Sequence, residues 1–505
     1  MTTLPAEPEV RTTAGTVRGR REDDLVVFRG IPFAQPPVGE LRFAAPRPAR
    51  RWDGVREAFA FGPPPPQDIV VPGRTGGLSG VATGDDWLTV NVWTPQPDPA
   101  AHRPVLVWIY GGAYKLGFAG SPGYDAQHLT RAGDHVVVSF NYRVGMEGFA
   151  HFAGAPANRG LLDQVAALEW VRDNITAFGG DPDRVTVFGE SAGAGSLAAL
   201  LAMPRAKNLF RQAILQSPPG TFHSDDLGRD IGAALAAGRG LRATADDLAT
   251  VDPHELVGAA AGLTADLGWD RTRWGAVADT ITPYSPVVDG DVLPTDPWTA
   301  LSAGSARDVR IILGHNRNES RLFLFLGGAL PGIDDTRADA ALRTFGPGAD
   351  PEQTYRAAHP DAAPEQLLEY VHSDWLFRMP ALHLIQAQRS AGGTAYGYEI
   401  AWPAPGNAAL GACHGLDGPL VFGTLTAHLG PLLFGPEPSA ETRTQSARIQ
   451  RAWTDFAATG DPGWPAYDTR GLFRVFDTEP TVTPYPEAAS EKLWATHKFA
   501  ALPLL

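Results

Sequence analysis

The chain has 505 residues, of which 44% are hydrophobic and 19% charged: enough apolar side chain for a large buried core, and too much for a mainly disordered chain. Asp and Glu number 56 against 42 Lys and Arg, and the resulting net charge of −14 would repel nucleic acid over most of the surface. The one cysteine, Cys413, excludes a disulfide within the chain and a cysteine-built zinc or iron–sulfur site.

The first ten residues, Met1 to Val10, carry neither the basic nor the apolar region of a secretory leader. No apolar run approaches the ~18 residues of a membrane span, so the expectation is a cytoplasmic protein without one. The four prolines Pro63 to Pro66 predict a rigid extended segment, and a glycine-rich loop follows from Gly73 to Gly84. Short apolar runs at Leu88–Trp93, Val105–Tyr110 and His135–Phe140 then read as strands.

From Leu161 to Phe178 the apolar residues fall on one helical face, and Gly179-Gly180 supplies the stop. A strand at Val185–Phe188 runs directly into Gly189-Glu190-Ser191-Ala192-Gly193, and a helical stretch follows at Ser196–Met203. Further strands are expected at Gln212–Gln216, Val309–Gly314 and Tyr396–Ile400, with a late helix near Ala447–Ala458. Alternating strands and helices argue for an α/β fold around one sheet. Two stretches with helical spacing, roughly 220–280 and 335–390, have no linkers at their ends and read as insertions in a single 1–505 domain.

A tight strand-to-helix turn with glycines two residues either side of a serine lifts the hydroxyl clear of the sheet. A serine hydroxyl is a weak nucleophile, so it needs a base for its proton and donors for the oxyanion formed on the attacked carbonyl. Tyr110-Gly111-Gly112-Ala113 follows a buried strand, and the N–H groups of Gly111 and Gly112, with that of Ala192, are the candidate oxyanion hole.

These motifs resemble the type-B carboxylesterases, a family of the α/β-hydrolase fold that includes bacterial para-nitrobenzyl esterases and animal cholinesterases. Ordered matches run from Phe28-Arg-Gly-Ile-Pro-Phe-Ala34 through Asp85–Trp93, Asn141-Tyr-Arg143, Asn158–Gln164, Phe178–Pro182 and Gln216-Ser217. They continue at Pro286–Gly290 and from Trp453 to Tyr467. The resemblance implies a central, mostly parallel sheet with helical insertions over an active-site gorge. It also implies an acid at Glu319, in Gly314-His-Asn-Arg-Asn-Glu319, and a base at His414, in Cys413-His-Gly-Leu-Asp-Gly-Pro-Leu-Val-Phe-Gly423. Asp289 is the fallback acid and His428 the weaker base. Cys413 is rejected as a nucleophile because neighbouring side chains point apart and the turn already holds a serine. Glu190 is taken as a buried structural group, and Asn141, Arg143, Asp163, Asp181 and Ser217 as scaffold.

Three departures stand out. Pro65 and Trp87 occupy the places where many relatives carry a disulfide pair, Tyr110 precedes Gly111-Gly112 where many have His or Gly, and Pro218 stands where glycine is usual. The implied activity is hydrolysis of a small-molecule carboxylic ester through an acyl-enzyme, without metal or organic cofactor. An amidase or carbamate hydrolase using the same triad is the alternative, and a non-catalytic binding protein is disfavoured because the serine is present. Tyr114, Phe118 and Phe323, with Phe325, are expected at an apolar substrate pocket suited to bulky acyl or aryl groups.

Overall fold

The computed structural model describes residues 6–67, 82–258, 270–330 and 332–505. Its centre is an eleven-stranded sheet: β1 (Arg20–Glu22), β2 (Leu25–Pro32), β3 (Thr89–Thr94), β4 (Arg103–Ile109), β5 (Val136–Phe140), β6 (Gly180–Glu190), β7 (Gln212–Gln216), β8 (Arg310–Asn316), β9 (Ala395–Ile400), β10 (Leu472–Phe476) and β11 (Thr481–Pro484). The spatial order is β11-β10-β9-β8-β7-β6-β4-β5-β3-β2-β1. All pairings from β5 across to β10 are parallel, and the outer strands on both sides join antiparallel. Parallel strands bury both faces, which is why Val105–Ile109 is apolar without alternation.

The helices Ala192–Ala202 and Ala440–Thr459 both pack on β4 and β6. Arg159–Asn174 buries the apolar stripe read from its spacing and passes into a tighter turn at Ile175–Phe178, which Gly179 ends at φ 90°. A small three-stranded sheet of Glu9–Arg11, Thr16–Arg18 and Val55–Glu57 lies apart from the main one.

The expected insertions are largely helical among the described residues. The first contains Asp225–Ala237 and the short turns Ala245–Leu248 and Arg271–Trp274; the second contains Asp335–Phe345, Pro351–Ala358, Pro364–Ser373 and Met379–Ser390. Residues 73–81 of the glycine-rich loop, and 259–269 of the first insertion, lie outside the described residues. Pro65 and Trp87 are both buried, and the Trp87 indole donates to the Gly84 carbonyl at 2.8 Å. No helix among the described residues is long and apolar enough to cross a membrane.

Sheet register sets up the site. Ile109 of β4 lies beside Gly189 of β6, Glu190 beside Gln216 of β7, and Gln216 beside Gly314 of β8. The carboxyl ends of four neighbouring strands therefore finish level with one another, at the edge where an α/β sheet gathers its loops.

Candidate active site

Strand β6 ends at Glu190 and the next helix begins at Ala192, leaving Ser191 between them at φ 57°, ψ −126°. An L-residue holds such a conformation, at a cost of about 1–3 kcal/mol, only where its surroundings over-determine it. Here the Ser191 N–H donates to the Gln216 carbonyl at 2.8 Å, and the Ser191 carbonyl accepts from Gly195 N–H at 2.9 Å. A methyl on Gly193 would lie 2.0 Å from the Ile109 carbonyl oxygen, so only glycine lets the helix start this close to β4. Gly111 is constrained in the same way: a Cβ there would come within 2.7 Å of the Glu190 carbonyl oxygen and 3.0 Å of Ser191 Cβ.

The loop after β4 thus lies directly against the serine. Among the described residues no acceptor takes the N–H of Gly111, Gly112, Ala113 or Ala192. Ala113, at φ 55°, continues the run of unengaged donors one residue beyond the two glycines expected from sequence.

Glu319 lies just beyond β8, fully buried and fully engaged. Its Oε1 accepts from Ser217 Oγ at 2.5 Å and from Asn316 N–H at 2.7 Å, while its Oε2 lies 2.6 Å from His414 Nδ1. His414 is held on the other side by Phe323 and Phe377, whose rings lie 5.0 and 4.5 Å from the imidazole. Its Nε2 faces Glu190 Oε1 at 3.4 Å, and among the described residues no hydrogen bond joins that nitrogen to Ser191 Oγ. Catalytic hydrogen bonds of this kind are often long before substrate arrives.

The imidazole is therefore bracketed by two carboxyl groups. Burial alone would favour its neutral form, but the charge and hydrogen bond of Glu319, then Glu190 and Asp417, outweigh burial and raise its pKa above that of free histidine. Burial in turn raises the Glu190 and Asp417 carboxyls. Asp417 accepts from Gln216 Nε2 at 2.8 Å and from Tyr398 OH at 3.2 Å.

Ser191, His414, Glu190 and the loop of Gly111, Gly112 and Ala113 share one cavity of about 340 Å³. Phe118 and Phe323 line it, but Tyr114 does not. The Tyr114 ring is turned into the core, 4.7 Å from Phe149, and its hydroxyl would meet a methyl on Gly195 at 2.3 Å. Its φ of 57° accounts for the error, since the left-handed backbone reverses the direction a simple loop would give the side chain. Phe325 packs against the core as well, and Leu322 and Leu326 from the same short helix face the cavity in its place.

Asp289 caps its own turn by accepting from the N–H groups of Asp291 and Leu293 and is not part of the cavity lining, whereas His428 lines the cavity and stacks beside Tyr124 at 6.3 Å; it is His414, not His428, that meets Glu319. Cys413 is fully buried, and burial pushes its thiol pKa well up. Arg143 and Asp163 form a wholly buried pair at 2.8 Å, and Asp181, half-buried, caps a turn by accepting from Asp183 N–H. Glu190 is largely buried, and it also forms part of the cavity wall and reaches the histidine, a contact that no local sequence pattern announces. Among the described residues no group of three or more His, Cys, Asp or Glu is placed to hold a metal ion.

A parallel sheet with a strained serine at a strand-to-helix turn, a buried Glu–His pair beyond later strands and free N–H groups beside the serine define an α/β-hydrolase. Residues 6–491 match the model of the carboxylesterase family. The chain is 36% identical to the para-nitrobenzyl esterase of Bacillus subtilis, over 95% of this chain and 96% of that protein. It is 35% identical to the phenmedipham hydrolase of Pseudarthrobacter oxydans, over 91% and 93% of the two chains. Among solved structures, a carboxylesterase of Geobacillus stearothermophilus superposes with a TM-score of 0.84 at 35% identity, covering 96% of this chain and 99% of that one. The chain belongs to the carboxylesterase family, and it is a carboxylic ester hydrolase.

Proposed function

We propose that Ser191, His414 and Glu319 act as nucleophile, base and orienting acid in a two-step hydrolysis of small apolar or aryl esters. The observation that carries this reading is the 2.6 Å contact between His414 Nδ1 and the buried Glu319 carboxyl, in the cavity that also holds Ser191. With Nδ1–H committed to Glu319, the lone pair for proton transfer lies on Nε2, on the cavity side.

His414 Nε2 takes the Ser191 hydroxyl proton as Oγ attacks the ester carbonyl, and the carbonyl π electrons move onto oxygen. The N–H groups of Gly111, Gly112 and Ala192, extended by Ala113, hold that oxyanion. Collapse of the tetrahedral intermediate breaks the bond to the alkoxy oxygen, and protonated His414 returns its proton to the departing alcohol. Water then attacks the acyl-enzyme with the same proton traffic and releases the acid. Glu319 keeps its place throughout, stabilising the imidazolium through Oε2 while Ser217 and Asn316 hold Oε1. No metal or organic cofactor takes part. We take the chain as one domain carrying two helical insertions. Its lone buried thiol makes no demand for an oxidising compartment, and we place the enzyme in the cytoplasm.

The test is release of para-nitrophenol from its acetate by the wild type and by Ser191→Ala, alongside the corresponding anilide. A loss of about 10³-fold or more in the variant is expected, with the ester cleaved faster than the anilide. Near wild-type turnover in Ser191→Ala would overturn the mechanism, and faster anilide cleavage would move the activity to amides.

A further inference from the structure

Six large hydrophobic side chains stand exposed among the described residues, and three of them, Leu116, Ile281 and Leu326, line the active-site cavity. They are 37%, 46% and 48% exposed. Isolated apolar residues on a surface need no explanation, but convergence on one opening does. Leu116 comes from the loop after β4, Ile281 from the segment at the end of the first insertion, and Leu326 from the end of the short helix Arg321–Leu326 that follows Glu319. The chain has therefore brought three distant segments together to present apolar side chains to solvent at the mouth of its own active site.

The arrangement is fixed in place. Lys115 Nζ donates to the Ile281 carbonyl oxygen at 2.8 Å, tying the first insertion to the loop beside the serine. That bond points the lysine charge at the backbone, leaving the neighbouring Leu116 side chain on the rim. Inward from Leu326, Leu322 and Phe323 continue the apolar wall towards His414. The cavity's volume, about 340 Å³, is near the lower end of the ~300–1,000 Å³ usual for ligand pockets. An acetyl group stops short of the mouth, whereas a longer aliphatic chain running outward from Ser191 meets the three apolar side chains there.

Resting on the hydrolase reading above, we propose that Leu116, Ile281 and Leu326 form an apolar collar that selects esters whose aliphatic chain extends beyond the cavity, with octanoyl esters favoured over acetyl esters. Each methylene moved from water onto the collar contributes to binding in the acylation transition state, and each exposed collar side chain is itself dried in the process. An acetyl group ends inside the cavity and gains nothing from the rim.

The experiment measures kcat/KM for para-nitrophenyl acetate and octanoate with the wild type, the double variant Ile281→Ser/Leu326→Ser, and Val482→Ser. Val482, on β11, is an exposed apolar residue remote from the cavity lining, and it serves as the control. The ratio of octanoate to acetate is read in each protein, so it does not depend on how much of a preparation is folded. The wild-type ratio is expected to exceed about tenfold, to fall about tenfold in the double variant, and to stay within twofold in Val482→Ser. A wild type that cleaves both esters without preferring octanoate, or a double variant that keeps the wild-type ratio, overturns the collar and leaves the hydrolase standing. Failure of Ser191→Ala to lose acetate turnover overturns the hydrolase mechanism instead.

Discussion

Glu190→Gln tests how the bracketed histidine controls the reaction. In the proposed mechanism His414 must be neutral to accept the serine proton, so kcat/KM is expected to fall as pH drops through its pKa, and a raised pKa places that fall above the value of about 6.5 for a free histidine. A full negative charge on Glu190 Oε1, 3.4 Å from Nε2, would favour the imidazolium by about 1 kcal/mol at the dielectric of water and about 5 kcal/mol at an effective dielectric of 20. These limits correspond to about 0.9 and 3.6 pH units. Because burial raises the Glu190 carboxyl, its charge near neutrality is partial, which keeps the shift below the upper limit. Removing that charge lowers the His414 pKa, so the acid limb of the profile should move towards lower pH by about one unit. The assay is kcat/KM for para-nitrophenyl acetate between pH 5 and 9, a parameter that reports the free enzyme. An unmoved acid limb, or one displaced to higher pH, would refute the claim that Glu190 acts on the imidazolium.

Three other perturbations separate support of the site from support of the fold. Ser217→Ala removes one of the two hydrogen bonds to Glu319 Oε1; with about 1.5–3 kcal/mol at stake for a bond to a charged group, turnover should fall about tenfold or more while the thermal midpoint moves little. Asp163→Asn leaves the Arg143 guanidinium buried without its anion and should cost about 3–5 kcal/mol in denaturant unfolding; a change below about 1 kcal/mol would count against a structural role for this pair. A thiol reagent added to the folded enzyme should leave activity intact, because Cys413 is buried and its thiolate is disfavoured; inactivation matched by stoichiometric labelling would contradict that.

Sequence revealed the parts of the molecule whose constraints are local. Val105–Tyr110, His135–Phe140 and Gln212–Gln216 lie in or beside parallel strands covered on both faces, so their continuous apolar runs stand out. The outer strands give a weaker signal, for two different reasons. Leu25–Pro32 is interrupted by a register shift between Phe28 and Ile31, and Thr481–Pro484 is mostly exposed. The helix Ala440–Thr459 begins seven residues before the expected Ala447 because its first turn is polar; the start signal was the Ser439 cap, whose hydroxyl accepts from Thr442 N–H, and not hydrophobic spacing. At the site, Ser191 and the glycines around it were legible because a strained turn restricts residue type within a few positions. The inward turn of Tyr114 and the reach of Glu190 to His414 depend on backbone reversals and contacts that do not leave a periodic signal.

The hydrogen bonds along the sheet edge have a consequence for how this enzyme could change. Ser191 N–H is bonded to the Gln216 carbonyl, Ser217 N–H to the Gly314 carbonyl, and Ser217 Oγ to Glu319, so the proposed nucleophile and acid are stitched across three adjacent strand ends. Ile281 and Leu326 lie outside that stitching, on an insertion and a short helix. Substitutions can accumulate on those segments while the strand ends stay in register. One bond-breaking apparatus could thereby be inherited intact by descendants that admit quite different molecules.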